Sequence, residues 1–323
     1  MTDILLVSVT DTLLRALGAV RGYKNTPGIF SHNSMNSTEQ QRLLERLNGL
    51  RQRITREHVE PPHEPAAAAS TPSDAALRAY ESSPCETLVV AFGSLGGQHD
   101  FQGSCKRAGV CHTYFVRDLK QSWFLLGLGD KSDASFAATL GAVAAEVQLL
   151  QPRRLVLLGT SMGGYAAVRA ALELLCDVDD LRVLAFAPQI VADPEERAEV
   201  FHLPPMPFDA NLNSVKSAWL AQGRSSRLPS AIDALYVQHR AEQRRCVIEV
   251  HVGALSAADV CEAELLRCAA SEHAAVNISV RVVTHEGMGH RLAEMLRDDM
   301  ELEPLLTAAV TLDLQPRPPW THS

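Results

Sequence analysis

Ser161 sits between two glycines in Gly159-Thr160-Ser161-Met162-Gly163, directly after the apolar run Leu155-Val156-Leu157-Leu158 and before an Ala- and Leu-rich stretch. A serine in that setting reads as a nucleophile on a sharp strand-to-helix turn. Such a turn holds its central residue in a strained conformation, which requires almost no side chain two positions to either side. A serine hydroxyl is a weak nucleophile until a base stands within hydrogen-bond reach. His290, preceded by Gly287 and Gly289 and followed by a helix candidate, is the candidate base, with His285 nearer the strand end as the alternative. A base of this kind works with a carboxylate that fixes its tautomer. Asp259 is the first acid after the strand candidate Cys246 to Val252, and Glu262 and Asp193 are the alternatives.

Attack on a carbonyl carbon also needs backbone donors for the oxygen that becomes negative. The N–H of Met162 is one by its position after the serine. Gly93-Ser94-Leu95-Gly96-Gly97 follows the first core strand candidate and supplies the other, from Ser94 or Leu95. The same glycine-rich loop is a poor phosphate cradle, because it lacks both a Gly-Lys-Ser/Thr ending and a G-x-G-x-x-G spacing. His251, His99 and His112 read as packed or surface histidines, and no histidine pair has metal-binding helical spacing beside a carboxylate. Neither a metal nor another cofactor is expected. Two features stay open. Arg117-Asp118 with Trp123 beyond could line the floor of a pocket or cap a turn, and Gln189 could donate to a substrate or close a turn.

These groups must be positioned by a fold, and the pattern from Glu86 onward indicates which. Strand candidates are Thr87 to Phe92, His112 to Arg117, Leu155 to Gly159, Leu181 to Phe186, Cys246 to Val252 and Ile278 to Val283. Between them lie helix candidates at Ala134 to Leu150, Met162 to Leu175, Ala257 to Ala270 and Arg291 to Arg297. Short apolar strands alternating with longer helices imply a three-layer α/β/α sandwich around a mostly parallel sheet. Functional groups then gather at the carboxyl ends of the strands. The interval 190–244 breaks the rhythm with several prolines and helix-like pieces around Ser217 and Ala231. It reads either as a lid or recognition insertion or as a long crossover without substrate contact.

Upstream, residues 1–83 read as an extension: a Leu-spaced helix candidate over Glu39 to Glu57, then a Pro- and Ala-rich linker. The main domain is expected over residues 84–312 and a tail over 313–323. The chain has 323 residues, 46% of them hydrophobic but only 5% aromatic, so its core is built mainly from Leu, Val and Ala. A formal net charge of −8 with scattered basic residues argues against nucleic acid as a partner. Seven irregularly spaced cysteines suit a reducing compartment better than a disulfide framework. The apolar N-terminal run is too short to span a membrane, and Asp3 and Asp11 stand where a signal peptide needs basic residues. The expectation is a cytoplasmic protein, with organelle targeting through Arg15, Arg21 and Lys24 as the alternative.

Over about Glu86 to Leu312 the chain resembles the α/β-hydrolase family. The resemblance rests on Gly159-Thr160-Ser161-Met162-Gly163, the glycine-rich loop after the first core strand, and a late Gly289-His290 before a helix. It implies an open, mostly parallel sheet and a Ser…acid…His order, with Ser161 as nucleophile, His290 as base and Asp259 as acid. Phe92-Gly93-Ser94 departs from the His-Gly-Gly-Gly loop of some lipases and esterases. Ser161-Met162-Gly163-Gly164-Tyr165 together with Ala187-Pro188-Gln189 also resembles members associated with surface polysaccharide systems. The resemblance implies a serine hydrolase that cleaves an ester or thioester of a small molecule or glycan through an acyl-enzyme. Acyl transfer to an alcohol or sugar by the same residues is one alternative, and a non-catalytic binding protein that retains the fold is another.

Overall fold

The computed structural model describes residues 74–128, 135–174, 178–203, 205–237, 245–272 and 277–311. The helix candidate Glu39 to Glu57, the linker and the C-terminal tail lie outside the described residues. The elements run β1 (Ala76–Tyr80), β2 (Thr87–Phe92), α1 (Gln102–Arg107), β3 (His112–Val116), α2 (Phe136–Leu150), β4 (Arg154–Thr160), α3 (Met162–Glu173) and β5 (Asp180–Phe186). A π-helical turn (Glu196–Val200) follows, then α4 (Asp209–Ala221), α5 (Asp233–Val237), β6 (Arg245–Gly253), α6 (Ala257–Glu272), β7 (Ile278–His285), α7 (Leu292–Asp298) and α8 (Leu302–Val310).

The strands form one seven-stranded sheet in the order β1-β3-β2-β4-β5-β6-β7. All neighbours pair in parallel except β1, which runs antiparallel to β3. The sheet therefore begins at Ala76, upstream of the boundary expected at residue 84. The ladder to β3 holds β1 at the edge, where its middle residues are exposed, so β1 carries no apolar alternation to reveal it.

Alternate residues of the central strands feed two separate cores. Val90, Leu157, Val183 and Val250 pack on one face with α2, α3 and α6, while Val89, Val156, Leu158 and Leu184 pack on the other with α1, α7 and α8. Burial on both faces explains why these strands read as continuous apolar runs. Each fully buried Leu or Val contributes roughly 1.5–3 kcal/mol over an exposed one.

After β2 the chain moves outward to β3, then returns to place β4 on the other side of β2. The loops after β2 and β4 thus diverge over a crevice, where sheets of this kind present their functional groups. The segment between β5 and β6 packs against the first core through Phe208, Leu212, Val215 and Trp219. A buried ion pair of Arg197 with Glu262 of α6 fastens it there, and one between Lys216 and Asp193 ties the segment to itself.

Candidate active site

Ser161 follows the last residue of β4 and precedes the first of α3. Its N–H donates to the Phe186 carbonyl at 2.9 Å, and its backbone adopts φ 52° and ψ −117°. A residue with a side chain held there costs on the order of 1–3 kcal/mol. The flanking glycines allow the crossing of backbones that produces this turn. A β-carbon on Gly163 would lie 2.3 Å from the Phe92 carbonyl oxygen, and one on Gly159 would lie 2.2 Å from that of Gly163. Met162 then opens α3 with its N–H among the first-turn donors that no helical carbonyl can satisfy.

His290 arrives on the loop after β7, and Asp259 at the start of the helix after β6. Backbone bonds from Ala254 N to His285 O and from Leu255 N to Met288 O, both 2.9 Å, zip the loops after these two strands together. Asp259 stands fully buried in the first turn of α6, where the helix dipole favours an anion. Both of its carboxylate oxygens face His290 Nδ1, at 2.9 and 3.0 Å. A carboxylate accepts only, so Nδ1 carries the hydrogen and Nε2 is left with a lone pair. That lone pair lies 3.1 Å from Ser161 Oγ. Burial opposes the charged imidazolium, but the hydrogen bond and charge of Asp259 outweigh it and raise the His290 pKa above its ordinary value.

The alternatives for base and acid are engaged elsewhere. His285 Nε2 meets His251 Nδ1 at 2.9 Å, and His251 Nε2 meets Glu249 at 2.9 Å. Glu262 pairs with Arg197 and accepts from the N–H groups of Ile190 and Val191. Asp193 binds Lys216 and the N–H of Leu228. Glu262 therefore anchors the segment between β5 and β6, and Asp193 holds that segment together from within.

In the loop after β2, Gly93 N–H donates to the Val116 carbonyl and Ser94 N–H donates to Asp100 Oδ2, both at 2.7 Å. Ser94 cannot give the same hydrogen to a substrate oxygen while that bond stands. Of the two donors expected in this loop, Ser94 is thus engaged by Asp100.

Residues that the sequence left open or did not mark complete the surroundings. Gln189 Nε2 donates to Ser161 Oγ at 2.9 Å, and Trp123 Nε1 donates to Gln189 Oε1. Phe208, from the segment between β5 and β6, sets its ring centroid 6.1 Å from that of His290 and 5.9 Å from that of Trp123. Nothing in the sequence marks Phe208, because it reaches the site only through how that segment folds back.

No family model matches the sequence, and no curated protein matches it either. Solved structures do. A hormone-sensitive lipase from a metagenome library is similar over 94% of this chain and 98% of its own, at TM-score 0.51 and 14% identity. This chain has the α/β-hydrolase fold. An esterase from Exiguobacterium antarcticum is similar over 73% of this chain and 95% of its own (TM-score 0.45, 15% identity). For a monoacylglycerol lipase from Paleococcus ferrophilus the shares are 72% and 98% (TM-score 0.43, 12% identity).

Within the α/β-hydrolase fold, Ser161 and His290 lie on the loops after β4 and β7 and Asp259 in the first turn of the helix after β6, all at carboxyl ends of parallel strands. Among the described residues no group of three or more His, Cys, Asp or Glu side chains could hold a metal ion, and no helix is long and apolar enough to cross a membrane.

Proposed function

We propose that the protein is a serine hydrolase that cleaves an ester or thioester through an acyl-enzyme. The observation that carries this reading is the continuous line of contacts from Ser161 Oγ to His290 Nε2 at 3.1 Å and from His290 Nδ1 to buried Asp259 at 2.9 Å. A non-catalytic protein with the same fold would have no reason to keep the imidazole in register with a strained serine. The similar solved structures are described as lipases and an esterase, which agrees with an ester substrate.

In the first step Ser161 Oγ attacks the carbonyl carbon while its proton passes to His290 Nε2. The carbonyl π pair moves onto oxygen, facing the N–H groups of Met162 and Leu95. Asp259 stabilises the imidazolium without taking its proton. Collapse expels the alcohol or thiol, which receives the proton from His290, and leaves Ser161 acylated. Water then enters, gives its proton to His290, and attacks the acyl carbon. Breakdown of the second intermediate returns the proton to Ser161 Oγ and releases the acid.

A p-nitrophenyl ester tests this scheme. The wild type should release a burst of nitrophenol of about one equivalent, followed by steady turnover. Absence of any ester cleavage across short and long acyl chains, or the same cleavage in Ser161→Ala, would overturn it.

A further inference from the structure

A serine hydroxyl has one hydrogen and two lone pairs. At Ser161 the hydrogen has His290 Nε2 as its acceptor, while the side-chain amide of Gln189 donates to the oxygen at 2.9 Å. The polarity of that amide is set from its far end. An indole N–H can only donate, and Trp123 Nε1 meets Gln189 Oε1, so the amide nitrogen must face Ser161. Gln189 and Trp123 are 1% and 0% exposed, so neither contact competes with solvent.

The loop that delivers Trp123 is built against its own preferences. Gln121, Trp123 and Phe124 all take positive φ, at 52°, 57° and 60°, without a glycine among them. Strain of this kind persists only where the surroundings over-determine it. Here the buried Asp118 does so. It accepts from Lys120 N at 2.9 Å, Ser122 N at 2.6 Å, Ser122 Oγ at 3.0 Å and Phe124 N at 2.7 Å. Two hydrogen bonds therefore link Trp123 through Gln189 to Ser161 Oγ, and Asp118 holds the loop that carries Trp123.

We propose that Gln189 is a catalytic hydrogen-bond donor to the nucleophile oxygen and that Trp123 is its positioning residue. The inference rests on the serine hydrolase reading above. By occupying one lone pair, the amide keeps the hydroxyl hydrogen on the line to His290 and leaves the other lone pair for the substrate carbonyl. As the proton passes to His290 Nε2, the same N–H stabilises the negative charge that builds on Oγ. In deacylation it assists the departure of Oγ from the second tetrahedral intermediate. The amide neither gains nor loses a proton in either step.

The test is saturation kinetics of covalent labelling by a fluorophosphonate probe, which separates the maximal rate at Ser161 from the affinity for the probe. Gln189→Met keeps the length of the side chain and a weak acceptor for Trp123 but removes the donor. It should lower the maximal labelling rate on the order of 10- to 100-fold with the half-saturating concentration unchanged. Trp123→Phe should give a smaller loss, because the amide remains but its orientation is no longer fixed. The double variant should be no slower than Gln189→Met alone, since both changes act through one contact. Far-UV circular dichroism and the thermal midpoint identify any variant that fails to fold, and Trp123→Phe carries the test if Gln189→Met does so. Labelling of both folded variants at the wild-type rate, with the wild type modified at Ser161, would overturn the role of Gln189 and leave the hydrolase reading standing. A wild type that resists the probe would overturn that reading, and this inference with it.

Discussion

The carbonyl oxygen of Met288 lies 2.3 Å from where a β-carbon on Gly253 would stand. Gly253 ends the strand before the Asp259 helix, and Met288 is two residues before His290. Their close approach brings the loops after β6 and β7 together, and so sets the distance between acid and base.

Gly253→Ala should therefore force these loops apart and uncouple Asp259 from His290 while the sheet stays formed. Displacements of this size cost about 100-fold in rate when they misplace a reacting group. We expect kcat on a nitrophenyl ester to fall by about that factor with an unchanged far-UV circular dichroism spectrum. Wild-type kcat in the folded variant would show that the contact between the two loops does not position the site.

Asp259 raises the His290 pKa against the opposing effect of burial, and only neutral imidazole can accept the serine proton. Ester cleavage should therefore be lost at low pH and rise as pH passes through the His290 pKa, with a midpoint above the ordinary histidine value of about 6.5. Removing the carboxylate takes away what raises that pKa, so Asp259→Asn should move the acidic limb to lower pH. The same change should reduce kcat/KM by roughly 10⁴-fold, because the amide no longer enforces the tautomer with a hydrogen on Nδ1. A pH–rate profile of both proteins measures the two effects together.

Much of the fold is written in the sequence because its strands are buried on both faces. Apolar runs such as Leu155 to Leu158 announce themselves, and chain order then brings Ser161, Asp259 and His290 to the same end of the sheet. β1 escapes notice because Leu77, Arg78 and Ala79 are exposed and its position depends on pairing with β3. Phe208, and the link from Trp123 to Gln189, escape for a different reason. Trp123 reaches Gln189 through positive-φ residues with no glycine to signal them, and Phe208 reaches His290 only after the segment between β5 and β6 folds back. Local sequence records which residues favour a strand or a turn. It does not record which distant loop a turn will touch.

That segment is held by charges that have left water. Arg197 and Glu262 are 2% and 0% exposed, and Glu262 also accepts the N–H groups of Ile190 and Val191. Removing the Glu262 charge leaves buried Arg197 with only the longer contact to Asp209 at 3.4 Å, and breaking a buried pair costs about 3–5 kcal/mol. Glu262→Gln should lose stability in that range in urea unfolding. A loss below about 1 kcal/mol would mean that the segment is not fastened through this pair.

In the proposed scheme Leu95 and Met162 donate their N–H groups to the developing oxyanion, while the Ser94 N–H is held by Asp100. Leu95→Pro removes one of these donors and should reduce kcat by about 100- to 1,000-fold in a folded protein. Comparable kcat in Leu95→Pro and wild type would assign the second donor elsewhere.

The most direct test of the account is whether Ser161 is the nucleophile. Folded protein treated with a fluorophosphonate probe and digested for mass spectrometry should carry the adduct on Ser161, slowly formed in His290→Ala and absent in Ser161→Ala. An unmodified wild type, or an adduct that survives Ser161→Ala, would contradict it.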